Sequence, residues 1–221
     1  MSDVPVRPAS TVLVIRPSPT TGVEVLMVQR PSRGFFGGLM VFPGGALERC
    51  DFVTHPLFDD GEHRMAGIRE TAEEVGFVVT QQGLIPSIPA RGEELVDAWR
   101  TSGVELGFDR LTLVSRWVTP FGAPTRFDTR FYLVAVDDDP EIILDTDELV
   151  GHTWVTPRKA LDEVRQGTRQ MILPTMSHLR WLGRMATVED AVAAAYGADG
   201  QTVIEPVASD GELLVRYRSP A

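Results

Sequence analysis

Glu70, Glu73 and Glu74 are the residues of this chain whose type and spacing most plainly suit chemistry. Winding residues 64–75 as a helix, at about 100° per residue, puts Met65, Ile68, Ala72 and Val75 on one stripe and the three glutamates roughly opposite. Gly76 then stands where the chain must turn out of the helix. Carboxylates at i, i+3 and i+4 repel one another, and nothing basic is expected on their face to relieve them. Such a cluster is tolerated in water or around a divalent cation. Hard oxygen donors of this kind suit Mg²⁺ or Mn²⁺, which also accept oxygens from a phosphate. Upstream, Gly44 and Gly45 let the backbone bend sharply and bring carbonyl oxygens near such an ion.

These residues also carry a resemblance. Val41-Phe42-Pro43-Gly44-Gly45, the five-residue gap from Gly45 to Asp51, and Arg69-Glu70-Thr71-Ala72-Glu73-Glu74-Val75-Gly76-Phe77 resemble the box that defines the Nudix hydrolases. Three departures stand out: an insertion separates Asp51 from Arg69, Glu62 falls one residue short of the family's spacing, and Thr71 replaces a bulky aliphatic. The resemblance implies an α/β fold, an α/β/α sandwich around a mixed sheet, as one domain over residues 1–221. Its box would be a loop–helix–loop at 44–77 with the insertion at 52–61, followed by an added helix at about 91–106 and C-terminal helices and a hairpin over 175–218. It further implies Mg²⁺ or Mn²⁺ held by Glu70, Glu73, Glu74 and the Gly45 carbonyl, in-line attack of water on a nucleoside-linked diphosphate, and Glu70 or Glu148 as the proton acceptor. Asp147 stands behind Glu148 for that role, and Arg69 would pair with a box glutamate and fix its rotamer.

A narrower likeness surrounds the box. Val25-Leu26-Met27-Val28-Gln29-Arg30, Ser115-Arg116-Trp117-Val118-Thr119-Pro120 and Arg126-Phe127-Asp128-Thr129 are similar to a subgroup typified by the peroxisomal coenzyme A diphosphatases of animals. That likeness implies a coenzyme A or acyl-coenzyme A substrate, with ADP-ribose or a dinucleotide as the alternative and a non-catalytic nucleotide binder as the other class. Arg30, Arg126 and Asp128 become the candidate substrate contacts, and the Gly-rich loop 30–38, with its cations and aromatics, a candidate cover for the phosphates. The helix bearing Trp99 is expected to close the far side of the pocket. The final Ser219-Pro220-Ala221 is not a peroxisomal address.

The elements that must position these residues follow from periodicity and punctuation. Strands are expected at 11–15, 23–29, 39–42, 77–80, 111–118, 131–136 and 150–155, and a Pro-punctuated loop at 83–89. A helix with Leu95, Ala98 and Trp99 on one side covers 93–102. Thr156 and Pro157 open another that runs to residue 165, Pro174-Thr175 a third, and Thr187 a fourth with a capping box. Residues 203–217, with Asp210-Gly211 at the centre, read as a hairpin. His55 and His63 lack the paired spacing of a transition-metal site and are expected at a surface or an interface.

Composition narrows the classes. With 31 acidic against 21 basic residues and a net charge of −10, the chain lacks the basic surface that nucleic-acid backbones require. The lone Cys50 has no intrachain disulfide partner, as expected in a reducing compartment. No apolar run approaches the roughly 20 residues that span a bilayer, and the first residues lack a signal peptide's apolar core. The expectation is a cytoplasmic protein, homodimeric, acting on a nucleotide-diphosphate small molecule, with no nucleic acid or membrane partner.

Overall fold

The computed structural model describes residues 4–20, 22–32, 37–137, 139–196, 203–209 and 212–218. Its main sheet is built on β1 (Val6–Pro17) and β2 (Val23–Gln29), with the short strands β3 (Met40–Val41) and β4 (Gly44–Ala46) leading into α1 (Gly61–Val75). β5 (Phe77–Thr80) and β6 (Gly83–Pro86) form a separate two-stranded ribbon ahead of α2 (Gly92–Ser102). β7 (Thr112–Val118), β8 (Arg126–Ala135) and β9 (Gly151–Val155) return to the main sheet. α3 (Pro157–Arg165), α4 (Leu173–Leu182) and α5 (Val188–Tyr196) follow, then β10 (Val203–Ser209) and β11 (Glu212–Arg218).

The strand order is β11-β10-β7-β8-β1-β2-β3, with β4 paired to β1 and β9 to β2. β1 runs parallel to β8 and β10 parallel to β7, while the other pairs are antiparallel, so the sheet is mixed as expected. Alternation along β1 supplies two cores. Val12 and Val14 meet α1 and α2 on one face, whereas Leu13 and Ile15 meet α3, α4 and α5 on the other. Helices on both faces make the α/β/α sandwich.

Local chemistry accounts for most element ends. α1 stops at Gly76, whose φ of 83° is open to glycine at little cost and whose missing Cβ leaves room for Ile143. The Thr156 hydroxyl accepts from the Lys159 N–H at 3.4 Å to start α3. Thr187 and Asp190 exchange side-chain and backbone bonds at 3.1 and 3.2 Å, the capping box at the start of α5.

Several expectations change. Residues 83–86 are a strand, because β6 pairs with β5 from Thr80↔Gly83 to Phe77↔Pro86. Arg126-Phe127-Asp128-Thr129 is the first part of β8 rather than a link before it. α1 begins at Gly61, inside the segment read as insertion. Asp60 there is buried and accepts from Arg64 Nε at 2.7 Å and Tyr132 Oη at 2.8 Å. His63 is buried between Glu62 and Arg130, and His55 stacks on Phe108 with ring centroids 4.9 Å apart, so neither histidine is a plain surface residue. The C-terminal hairpin joins the main sheet through β10, and its Asp210-Gly211 turn lies outside the described residues.

β7 contains one irregularity. Leu113 pairs with Tyr132 and Ser115 with Phe131, leaving Val114 as an extra residue in a β-bulge. Leu113 packs against the α1 core, but Val114, Ser115 and Trp117 all lie on the α3–α5 side.

Candidate active site

The bend from β3 into β4 is the first structural requirement of the site. Gly44 has φ 151°, and a Cβ there would lie 2.3 Å from the Ser10 carbonyl oxygen. The next residue, Gly45, is needed for a different reason. A Cβ on it would fall 2.5 Å from Oε1 of Glu70, so the glutamate's carboxylate occupies the space that the glycine leaves. Backbone and carboxylate are thereby brought to close approach.

α1 supplies the charges. Glu74, with 1% of its surface exposed, accepts from the Gly44 N–H at 2.9 Å and from Arg30 Nη2 at 3.1 Å. Arg30 Nη2 also donates to the Gly44 carbonyl. Glu70, 9% exposed, accepts from Arg69 Nη1 at 2.9 Å. Glu73 accepts through one oxygen from both Arg69 Nη1, at 3.4 Å, and the Gly92 N–H, at 2.8 Å, which ties α1 to the start of α2. Two arginines therefore relieve the cluster: Arg69 from the same helix, as expected of it, and Arg30 from beyond it.

Arg69 is fully buried and is the organiser of the box. Its Nε and Nη2 grip Asp51 at 2.9 and 2.8 Å, and Nη2 also reaches the Ala46 carbonyl. Asp51 in turn accepts from the Glu48 N–H at 2.8 Å. The insertion thus loops out and leaves Asp51 beside Arg69, while Glu62 goes to His63 instead. Burial opposes the charge on Arg69, but the Asp51 hydrogen bonds and the surrounding carboxylates hold its pKa above the ordinary arginine value. Burial pushes Glu70 up to about 7 and Glu74 up to about 8, with like charges adding to the rise and Arg69 and Arg30 resisting it.

Glu148 reaches this region through the loop after β8. Ile143 and Asp145 donate their backbone N–H groups to Val75 and Glu74 carbonyls at the end of α1, which docks the loop there. Glu148 is 44% exposed and accepts from Arg91 at 2.9 Å, and Arg91 also pairs with Asp145. The Glu148 charge is close enough to help raise both Glu70 and Glu74. Asp147 turns its backbone onto Asp145.

Beside the carboxylates opens a cavity of about 420 Å³. Arg30, Gly44 and Gly45 form its charged end. Phe127, Thr129 and Phe131 of β8 and Trp117 of β7 line its sheet side, and Ile172, Pro174 and Thr175 close it from α4. Arg7 sits at the rim, 5.7 Å from the centre of the Phe127 ring. Of the three expected substrate contacts, only Arg30 lines this cavity. Arg126 and Asp128 alternate with the lining residues of β8 and so lie on its other side. There Arg126 Nε donates to the Thr119 carbonyl, and Asp128 is held by Arg116 through two bonds at 2.8 and 2.5 Å. Trp99 is buried in the α1-side core, away from the cavity, so α2 is not its lid. Of the loop 30–38, residues 33–36 lie outside the described residues.

The cavity-lining aromatics had no place among the sequence candidates. The alternation Phe127-x-Thr129-x-Phe131 was the available signal, since a strand shows one face at every second residue.

No group of three or more Asp, Glu, His or Cys side chains converges on a single point among the described residues. The donor set nevertheless fits a divalent ion in its chemistry. The Glu70 carboxylate lies against Gly45, Glu70 and Glu74 are buried with their charges only partly offset, and the oxygens are hard ligands.

The NUDIX domain family matches residues 6–173. Over 205 residues the chain is 31% identical to putative nudix hydrolase 7 of Caenorhabditis elegans, covering 87% of this chain and 66% of that protein. It is 26% identical to the human acyl-coenzyme A diphosphatase NUDT19, covering 83% of this chain and 67% of the human protein, so it spans about two thirds of these relatives. The crystal structure of a NUDIX hydrolase from Alicyclobacillus acidocaldarius superposes with a TM-score of 0.76 at 28% identity, covering 86% of this chain and 96% of that one. With the family's match running over residues 6–173, more than half of the chain, and the sandwich shared with the solved structure, the chain belongs to the Nudix family.

Proposed function

We propose that this protein hydrolyses the diphosphate that joins a nucleoside to a second moiety, with coenzyme A or an acyl-coenzyme A as substrate and Mg²⁺ or Mn²⁺ as the ion. The observation that carries this reading is the Glu70 carboxylate seated in the space at Gly45, with Glu74 against Gly44, at the charged end of an otherwise apolar cavity. Nudix hydrolases generally act with divalent metals. Glu70, Glu73, Glu74 and the Gly45 carbonyl would hold the ion, which when bound neutralises diphosphate charge and acidifies water.

The chain's own residues have separable tasks. Arg69, clamped by Asp51, fixes the rotamers of Glu70 and Glu73. Arg30 stands at the cavity's charged end, where its guanidinium can meet a phosphate oxygen. Glu148 is the proton acceptor, because it is near Glu70 and open enough to pass the proton to solvent. The apolar cavity receives one end of the substrate and excludes water from it. A molecule with a charged middle and apolar or aromatic ends suits this layout, and the kinship with NUDT19 favours coenzyme A among such molecules.

Incubation with coenzyme A and Mn²⁺, followed by mass analysis, is expected to yield 3′,5′-ADP and phosphopantetheine, with EDTA abolishing turnover. Cleavage of ADP-ribose to AMP and ribose 5-phosphate in preference to coenzyme A would overturn the substrate. Nucleotide binding without turnover would overturn the enzymatic reading.

A further inference from the structure

Behind the cavity wall lies a buried polar chain that the proposed chemistry does not use. His178 Nδ1 is 2.7 Å from the Pro174 carbonyl oxygen, which can only accept, so Nδ1 carries the proton. Nε2 is then an acceptor, and the Ser115 hydroxyl donates to it at 2.7 Å. Ser115 Oγ in turn accepts from the Trp117 indole N–H at 3.1 Å. Each polar atom of the chain has a partner of the right kind.

The Ser–His contact is not a nucleophile pair. Ser115 and His178 are 7% and 4% exposed, and the imidazole's second partner is a carbonyl rather than an orienting carboxylate. What the chain does is join two walls. Trp117 belongs to the sheet side of the cavity and Pro174 to the α4 side, and both line it. The imidazole also stacks on Phe131 at 4.3 Å and meets the edge of Phe42 at 6.2 Å, two further lining residues. The bulge at Val114 is what turns Ser115 and Trp117 together toward this face.

We propose that His178 is a positioning residue for substrate: through Ser115 and the Pro174 carbonyl it fixes the Trp117 indole and the spacing between the cavity's two walls, and so determines which substrate end fits. This rests on the reading that the cavity receives one end of the substrate.

The test uses the full chain with Mn²⁺ and whichever of coenzyme A and ADP-ribose it turns over. Ser115→Ala and His178→Leu cut the chain, and Trp117→Phe removes the indole N–H together with part of the ring. Each is expected to raise KM about fivefold to tenfold, the order of one buried hydrogen bond, with kcat within about twofold of the parent. The double variant Ser115→Ala/Trp117→Phe should be no worse than either single one, because the chain is cut once. Should His178→Leu fail to fold, Ser115→Ala still decides, because Ser115 is not a lining residue. Thr129→Trp, which fills the cavity from β8, serves as the control. Raised KM in Thr129→Trp with unchanged KM in Ser115→Ala and Trp117→Phe overturns the role of His178 alone. Unchanged KM in all of them removes the substrate from the cavity and overturns both readings. If neither substrate is turned over, the proposed function falls and this inference with it.

Discussion

Glu74 is almost completely buried, yet it is held by only one guanidinium and one backbone N–H. Replacing it by Gln keeps the volume and removes the charge. The rate is expected to fall at least about a hundredfold, on the order of 3 kcal/mol in barrier. Steady-state turnover of coenzyme A near the parent rate would dismiss the assignment. Glu70 and Glu148 separate by a second measurement. Glu148→Gln should lower kcat by about a hundredfold while leaving the Mn²⁺ dependence unchanged, the mark of a proton acceptor. Glu70→Gln should weaken both. A Glu148→Gln enzyme with normal kcat would return the proton to Glu70. The three glutamates were legible in the sequence because i, i+3 and i+4 spacing is a local property of one helix. Arg69 was legible as a partner for the same reason, but Arg30 and the Asp51 that clamps Arg69 were not. Arg30 and Asp51 lie far off in the chain, and only the pairing of β3 and β4 with their neighbours, and the looping-out of the insertion, brings them in.

Among the elements, the insertion gives the clearest revision. Residues 52–61 were expected as an insertion in the box, and the exposed Phe52 and Leu57 suit a surface loop or a partner contact. Asp60 does not, since it ties Arg64 and Tyr132 together across α1 and β8. Burial alone would raise its pKa, but the Arg64 and Tyr132 hydrogen bonds bring it below the usual carboxylate value. Replacing residues 53–58 with a Gly-Ser link is expected to keep metal-dependent turnover, at a stability cost limited to the packing of Val53, His55 and Phe58 against Phe108, Arg64 and the core. Replacing 52–61 should lower the denaturation midpoint by an amount equivalent to about 3 kcal/mol, the scale of breaking a buried pair. Equal midpoints for the two variants would contradict this. Most strands and helices were readable to within a few residues from period and punctuation. The ribbon strand at 83–86 escaped because Pro86 masks an edge strand, which needs no donor on its open side. The Trp99 helix was found but assigned to the wrong side, since a stripe of apolar residues does not say which core it joins.

At the scale of the whole molecule, one sheet separates the α1–α2 core, whose helix α1 carries the buried glutamates, from the α3–α5 side, where the cavity opens. The site draws on both, with Glu70 and Glu74 coming from one side and the cavity from the other. That partition also places a titrating group deep in the structure. Burial depresses the His178 pKa to about 4, from an ordinary value near 6.5, against a smaller pull upward from the Pro174 carbonyl. The unfolded chain therefore binds more protons between those values, and stability is fully present above pH 6.5 and lost as pH falls toward 4. The loss attributable to this group is about 3 kcal/mol. Urea midpoints across that range should show it in the parent and lose that component in His178→Leu. An unchanged pH dependence would count against a buried neutral imidazole. No helix among the described residues is long and apolar enough to cross a membrane.

The extra residue at Val114 has a consequence for the wall of the cavity. Beyond it, every side chain of β7 is out of phase with the strand before it. Straightening β7 with Val114 kept in line would turn Arg116 toward the cavity in place of Ser115 and Trp117, exchanging an aromatic wall for a cationic one, whereas deleting Val114 keeps both on the cavity side. The aromatic wall in this architecture therefore depends on how the strand accommodates one residue, while every residue type in it stays the same.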